Sequence, residues 1–318
     1  MLVNDRDVAP TSTPDPAQLQ QQLINWRNLA DGAYATNTER AWASDWRIWH
    51  RWCQQTGNSP LPASPEAIST FLIDIDRKPA TLRRYLSTLA TAHRAAGLAN
   101  PCCTEAVQLT LRKLTRLKGR AQQQAPALSW PELQLILAQP GNRLIDHRDR
   151  ALLVLMYDSL VRRSDVLGIE WPHIERSADG SGTLYLPRSK TDQEGEGQYR
   201  YLSPLALDLI VYYQQQSGIN GGAVFRGVYN GSKPGPKGLS SEGVNRVLKR
   251  AGAILGRDLS GHSCRVGATQ DMTAANIDLA GIMQAGGWQS ERMPAQYGRK
   301  LRAGRSGMAQ LATLQRRR

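Results

Sequence analysis

Apolar residues recur at helical spacing along most of the chain, and one short region switches to alternation. Leu19, Leu23 and Trp26 share one side of a first helix. Thr36 and Glu39 are spaced as a capping box and predict the start of a second helix. Within it Trp42, Trp46, Trp49 and Cys53 form an apolar stripe, read as core. Arg40, Ser44, Arg47 and Arg51 line the other side, either as a solvated face or as one that meets a polyanion. Ser64-Pro65-Glu66 opens a third helix with proline in the first turn. A fourth, over 79–97, buries Leu82, Leu86 and Leu89, turns Thr81, Arg84 and Thr88 the opposite way, and stops at Gly97. A fifth, over 104–118, carries Val107, Leu111, Leu114 and Leu117 on its apolar side.

The polar stretch 121–127, AQQQAPA, reads as a linker. It divides a helical domain over 17–120 from a second domain over 128–318, and residues 1–16, rich in Asp, Thr and Pro, read as disordered. Ser129 and Glu132 make a second capping-box pair, and an apolar helix follows around 148–158. Over 183–203, TLYLPR and YRYLS alternate around a Gly- and acid-rich turn, which predicts a small hairpin in a mainly α protein. Residues 204–217 and 240–255 read as helices. The Gly/Pro-rich 221–238 between them reads as a basic loop. Met308, Leu311 and Leu314 mark a short C-terminal helix over about 305–315.

Charge narrows the choice of partner. The 318 residues hold 40 Lys+Arg against 27 Asp+Glu, a net charge of +13. Basic side chains exceed acidic ones on both sides of the linker, and Arg greatly outnumbers Lys, which suits phosphate recognition. The pattern points first to nucleic acid. No apolar run approaches the roughly 20 residues that span a bilayer, so no membrane partner is expected. Four cysteines, Cys53, Cys102, Cys103 and Cys264, lack metal or disulfide-framework spacing, and reduced thiols in a cytoplasm are expected. Clustered ligands for a zinc hydrolase are missing as well.

The candidate chemistry lies between Gly261 and Tyr297. His262 and Arg265 stand three apart, Trp288 follows a double glycine, and Tyr297 comes nine residues later. Upstream, Leu160-Val-Arg162-Arg163-Ser-Asp165-Val166 offers two adjacent arginines ahead of an acid, and apolar spacing does not choose between them. The order H-S-x-R-x-G, A-G-G-W, then Tyr resembles the catalytic end of the tyrosine recombinases, the phage integrase family. The upstream run resembles that family's G-L-R-x-S-E-L, with Leu160 in place of its glycine and Asp in place of Glu.

The resemblance implies a fold and a mechanism. The fold would be a helical core-binding domain followed by a mostly helical catalytic domain with a small β-sheet. The activity would be site-specific cutting and rejoining of DNA through a 3′-phosphotyrosyl intermediate, without metal, ATP or other cofactor. Tyr297 would be the nucleophile. Arg162 and Arg265 would clamp the phosphate, with His262 and Trp288 bonding it. Lys190, in the turn of the hairpin, would be the general acid, and Asp165 would orient Arg162. Arg40, Thr81 and Arg84 would contact the DNA major groove. The partners would be double-stranded DNA with an inverted-repeat site and three further copies of the chain, a homotetramer on two sites. Type IB topoisomerase-like relaxation and a non-catalytic DNA-binding relative are the alternatives.

Overall fold

The computed structural model describes residues 15–119, 123–189 and 195–317. The first fourteen residues of the stretch read as disordered lie outside the described residues, as do Lys190 and the four residues after it. The chain forms two compact units, one up to Gln122 and one from Gln123 onward.

The first unit holds helices α1 (Pro16–Ala30), α2 (Thr36–Thr56), α3 (Pro65–Asp74), α4 (Pro79–Ala95) and α5 (Glu105–Lys118). Its core joins Trp49, Trp52 and Cys53 of α2 to Ile68, Phe71 and Leu72 of α3 and Leu82, Leu86 and Leu89 of α4. Trp49 and Trp52 stack at 5.4 Å, and Phe71 meets Trp49 edge-on at 5.0 Å. Their indole donors are satisfied, Trp49 by the Pro60 carbonyl and Trp52 by Asp74. The tryptophan stripe is therefore core at its C-terminal end. Trp42, nearer the start, packs instead with Trp26 and Tyr34.

Three details of this unit differ from the sequence expectation. Thr36 is the first helical residue and not the cap: Ala35 holds the cap position in extended geometry with no side-chain bond, while Thr38 and Glu39 N–H groups bond its carbonyl. Thr88 is buried, because its hydroxyl donates to the buried Asp45 of α2 at 3.1 Å. Leu117 is exposed, because the last turns of α5 turn Thr115, and not Leu117, toward α4.

The second unit is built around α7 (Leu144–Ser159), whose residues Leu152 to Met156 are all buried. A helix buried on every side sits in the centre of its domain. α6 (Trp130–Leu137) precedes it, with Glu132 accepting from the Ser129 N–H at 2.9 Å as the capping pair predicts. The short α8 (Arg163–Val166) follows α7. β1 (Ile174–Arg176), β2 (Gly182–Leu186) and β3 (Gln198–Leu202) form an antiparallel sheet in that order, one strand wider than the expected hairpin. α9 (Pro204–Ser217) packs on α7. The stretch read as a loop over 221–238 contains a second hairpin, β4 (Arg226–Tyr229) with β5 (Lys233–Gly238), turning through Asn230 and Gly231, both at positive φ. Its prolines and glycines hide a strand in any propensity count, but Asn-Gly is a strong hairpin-turn signal. Helices α10 (Ser241–Ile254), α11 (Ser263–Ala274), α12 (Leu279–Gly286), α13 (Arg292–Tyr297), α14 (Arg299–Ala303) and α15 (Gly307–Leu314) complete the unit.

Part of the segment read as linker is built into the second unit. Leu128 is fully buried, its N–H bonds the Ser263 carbonyl, and Arg257 donates to the Ala127 carbonyl. A Cβ on Gly267 would lie 1.7 Å from the Leu128 oxygen, so only glycine lets this segment cross α11. Among the described residues, no helix is long and apolar enough to cross a membrane.

Candidate active site

Four of the candidate side chains meet at the start of α11. Arg265, one turn into that helix, is 3% exposed. Its guanidinium donates to the Leu160 carbonyl and, at 3.2 Å, to the Gly286 carbonyl. Its central carbon lies 4.5 Å from the centre of the Trp288 ring. Tyr297, the last residue of α13, meets Trp288 edge-on with ring centres 6.1 Å apart. The Tyr297 carbonyl accepts from Gln270 of α11 at 3.2 Å and from Gln124 at 3.5 Å.

Local backbone geometry places these groups. Leu160 ends α7 in the left-handed region, φ 50°, which turns its carbonyl toward Arg265. A non-glycine residue there costs roughly 1–2 kcal/mol. Leu160 is 2% exposed, and burying its side chain gains roughly 1.5–3 kcal/mol, so packing outweighs the strain. Arg162 caps α8, where Asp165 accepts from its backbone N–H at 3.0 Å and faces its guanidinium at 3.8 Å. The carboxylate thus fixes both ends of the Arg162 residue. Arg163 turns away and bonds Asn245 of α10 at 2.7 Å.

The electrostatics follow from burial among like charges. Burial, with Arg162 nearby, lowers the Arg265 guanidinium to about 10. Burial raises the Tyr297 hydroxyl above its ordinary value, and Arg265 and Arg162 pull it down by less. The arginines therefore do not hold the phenol ionised in the free protein.

Other predicted residues lie elsewhere. His262 is exposed at the N-terminal cap of α11, one turn before Arg265, and its N–H bonds the Ser260 hydroxyl at 3.4 Å. Lys190 lies outside the described residues. Arg40 is exposed on α2 and Thr81 half-buried on α4. Arg84 of α4 is half-exposed and pairs at 2.7 Å with Asp45, a carboxylate that is 1% exposed. Burial raises the Asp45 pKa, with Thr88 and Arg84 opposing. All four cysteines are free, with Cys103 exposed and the others buried. Among the described residues, no three His, Cys, Asp or Glu side chains gather as a metal site would need.

One charged residue near the site escapes motif reading. Arg200 on β3 is 7% exposed, and Arg162 and Asp165 both act on it electrostatically. The available signal was the order of side chains in Tyr-Arg-Tyr-Leu, taken up below.

The profile of the Phage integrase family matches residues 127–303, more than half of the chain, and the chain belongs to this family. It is 27% identical over 303 residues to recombinase cre of Escherichia phage P1, with 88% of each chain covered. It is 28% identical over 278 residues to an integrase/recombinase xerD homolog of Selenomonas ruminantium, covering 83% of this chain and 81% of that protein. Among solved structures, a lambda integrase tetramer bound to a Holliday junction superposes with a TM-score of 0.60 at 18% identity, over 91% of this chain and 78% of that one. The mainly α fold with small antiparallel sheets is that of the tyrosine recombinases.

Proposed function

We propose that this chain is a site-specific DNA recombinase that cuts and rejoins strands through a bond to Tyr297. The observation that carries this is the convergence of Arg162, Arg265, Trp288 and Tyr297 at one place, from four separate stretches of sequence. The Tyr297 oxygen attacks the scissile phosphorus, a 3′-phosphotyrosyl bond forms, and the bond to the 5′-oxygen breaks. That oxygen leaves as a hydroxyl and later attacks the phosphotyrosine of another strand. Each step exchanges one phosphodiester for another, so no external energy source enters.

The other side chains serve that exchange. Two fixed guanidiniums, Arg162 and Arg265, stabilise charge on the non-bridging oxygens. Trp288 has an indole N–H that can only donate, so it positions the phosphate and carries no proton. The buried, protonated Tyr297 must lose its proton as it attacks, and His262 at the mouth of α11 is the nearest imidazole in sequence to take it or to bond the phosphate. Lys190 would protonate the leaving 5′-oxygen. Arg40, Thr81 and Arg84 on α2 and α4 would face the DNA groove.

The partner proposed is duplex DNA with an inverted-repeat site, bound by four copies of the chain. The Holliday junction held by the similar lambda integrase tetramer and the basic charge of both units support it. Met308 and Leu314 on α15 are largely exposed, an apolar edge suited to a head-to-tail contact between copies. The setting proposed is the bacterial nucleoid. A topoisomerase-like activity would relax DNA without exchanging partners. The two are separated on a plasmid carrying two copies of a site recovered from a randomised duplex pool. Recombinant circles are the expected product; relaxed plasmid alone would point to the topoisomerase.

A further inference from the structure

The outer strand of the three-stranded sheet carries its side chains in an inverted order. Tyr199 and Tyr201 point outward, 62% and 59% exposed, while Arg200 between them points inward with Leu202. Alternation along a half-buried strand normally puts the apolar residues inside and the charge outside. A guanidinium held inside against that rule costs desolvation free energy, and such departures cluster at functional sites.

The surroundings of Arg200 identify what it serves. Its guanidinium donates to the Tyr199 carbonyl at 3.0 Å and to the side-chain oxygen of Gln198. It lies directly on Gly287: a Cβ there would be 1.8 Å from its Nη2 and 2.7 Å from the Gln198 oxygen. Gly287 closes α12 at φ 61° and leads into Trp288, whose ring folds back to within 2.0 Å of where a Gly286 Cβ would be. The Gly286 carbonyl is in turn a partner of Arg265. Arg200 therefore packs on the same Gly-Gly turn whose Gly286 carbonyl Arg265 bonds. Together with Arg162 they bring three guanidiniums to bear on a region whose nearby carboxylate is Asp165.

We propose that Arg200 is a positioning residue of the active site, which seats the Gly286-Gly287-Trp288 turn and supplies a third positive charge behind the phosphate. It acts through Trp288, Arg265 and the field they share, and not by touching substrate. The proposal rests on the recombinase reading above. It accounts for a feature the four-residue convergence leaves unexplained, the need for a glycine at 287, where Arg200 occupies the place of a Cβ.

The test uses the full chain and a nicked duplex made from the recovered site, in two forms. One has the normal scissile phosphodiester. The other has a methylphosphonate, in which a methyl group replaces one non-bridging oxygen and removes the phosphate's charge. Arg200→Met is expected to bind the duplex as the parent does and to form covalent adduct about 10- to 100-fold more slowly on the phosphodiester, the range for residues that orient a reacting group from behind. The defect should shrink on the methylphosphonate, because there is less charge to stabilise. Arg200→Lys, which keeps the charge, should fall between parent and Met on the phosphodiester. Parent-like cleavage by Arg200→Met would overturn the proposal, and so would an equal defect on both substrates, which is what a merely structural role gives. If Arg200→Met melts early, Arg200→Gln, which retains a donor for Gln198, makes the same comparison. Absence of adduct from the parent on both substrates would instead remove the recombinase reading.

Discussion

The Arg265 guanidinium carbon lies 4.5 Å from the centre of the Trp288 ring. A cation this buried and this close to an indole face gains roughly 2 kcal/mol from the contact. The ring also shields the arginine from water, which strengthens its effect on a bound phosphate. Trp288→Phe keeps a ring over Arg265 and removes the N–H donor; Trp288→Ala removes both. Single-turnover adduct formation should fall about tenfold for Phe and at least a further tenfold for Ala. Equal rates for the two variants would mean that the cation–ring contact contributes nothing.

Gly267, the glycine of the H-S-x-R-x-G run, has a structural cause that the motif alone does not give. The Leu128 carbonyl occupies the place of its Cβ. Gly267→Ala must push the segment at Leu128 off α11 and should cost about 1–3 kcal/mol of stability. Urea unfolding of parent and variant measures the difference, and an unchanged midpoint would contradict the close approach.

His93 makes the first unit sensitive to acid. Its Nε2 accepts from the Ala63 N–H at 3.0 Å, which leaves Nδ1 as the donor to the Leu89 carbonyl at 2.8 Å. Burial lowers its pKa from 6.5, and the Leu89 carbonyl opposes the shift. The folded state thus holds fewer protons than the unfolded one. The neutral ring's contribution is fully present above about pH 6.5 and is lost as pH falls below it. Melting temperature followed from pH 8 to pH 5 should drop more steeply for the parent than for His93→Gln. Parallel curves would show that His93 is not the titrating group.

Local motifs make much of this molecule legible in its sequence. Arg162, Arg265, Trp288 and Tyr297 are singled out by short runs that resemble the family's motifs, and each sits at a turn or near a helix end. The tryptophan stripe of α2 and the buried α7 followed from periodicity. What escaped depended on contacts between distant segments. Thr88 looks like surface until Asp45 of another helix accepts its hydroxyl. Arg200 looks like an ordinary strand arginine until Gly287 is seen against it. The β4–β5 hairpin is built from Pro and Gly residues that disfavour strands, so its composition reads as loop although it turns through Asn230-Gly231. Thr36 shows the limit of capping signals, which locate a helix start only to within a residue or two.

The central claim is that Tyr297 bonds to DNA. The direct measurement is mass spectrometry of the protein–DNA adduct trapped on a nicked duplex of the recovered site, digested to a peptide carrying the residual nucleotide. The nucleotide is expected on Tyr297, with no adduct from Tyr297→Phe, which should still bind the duplex as tightly as the parent. A nucleotide found on another residue, or an adduct that survives Tyr297→Phe, would contradict the claim.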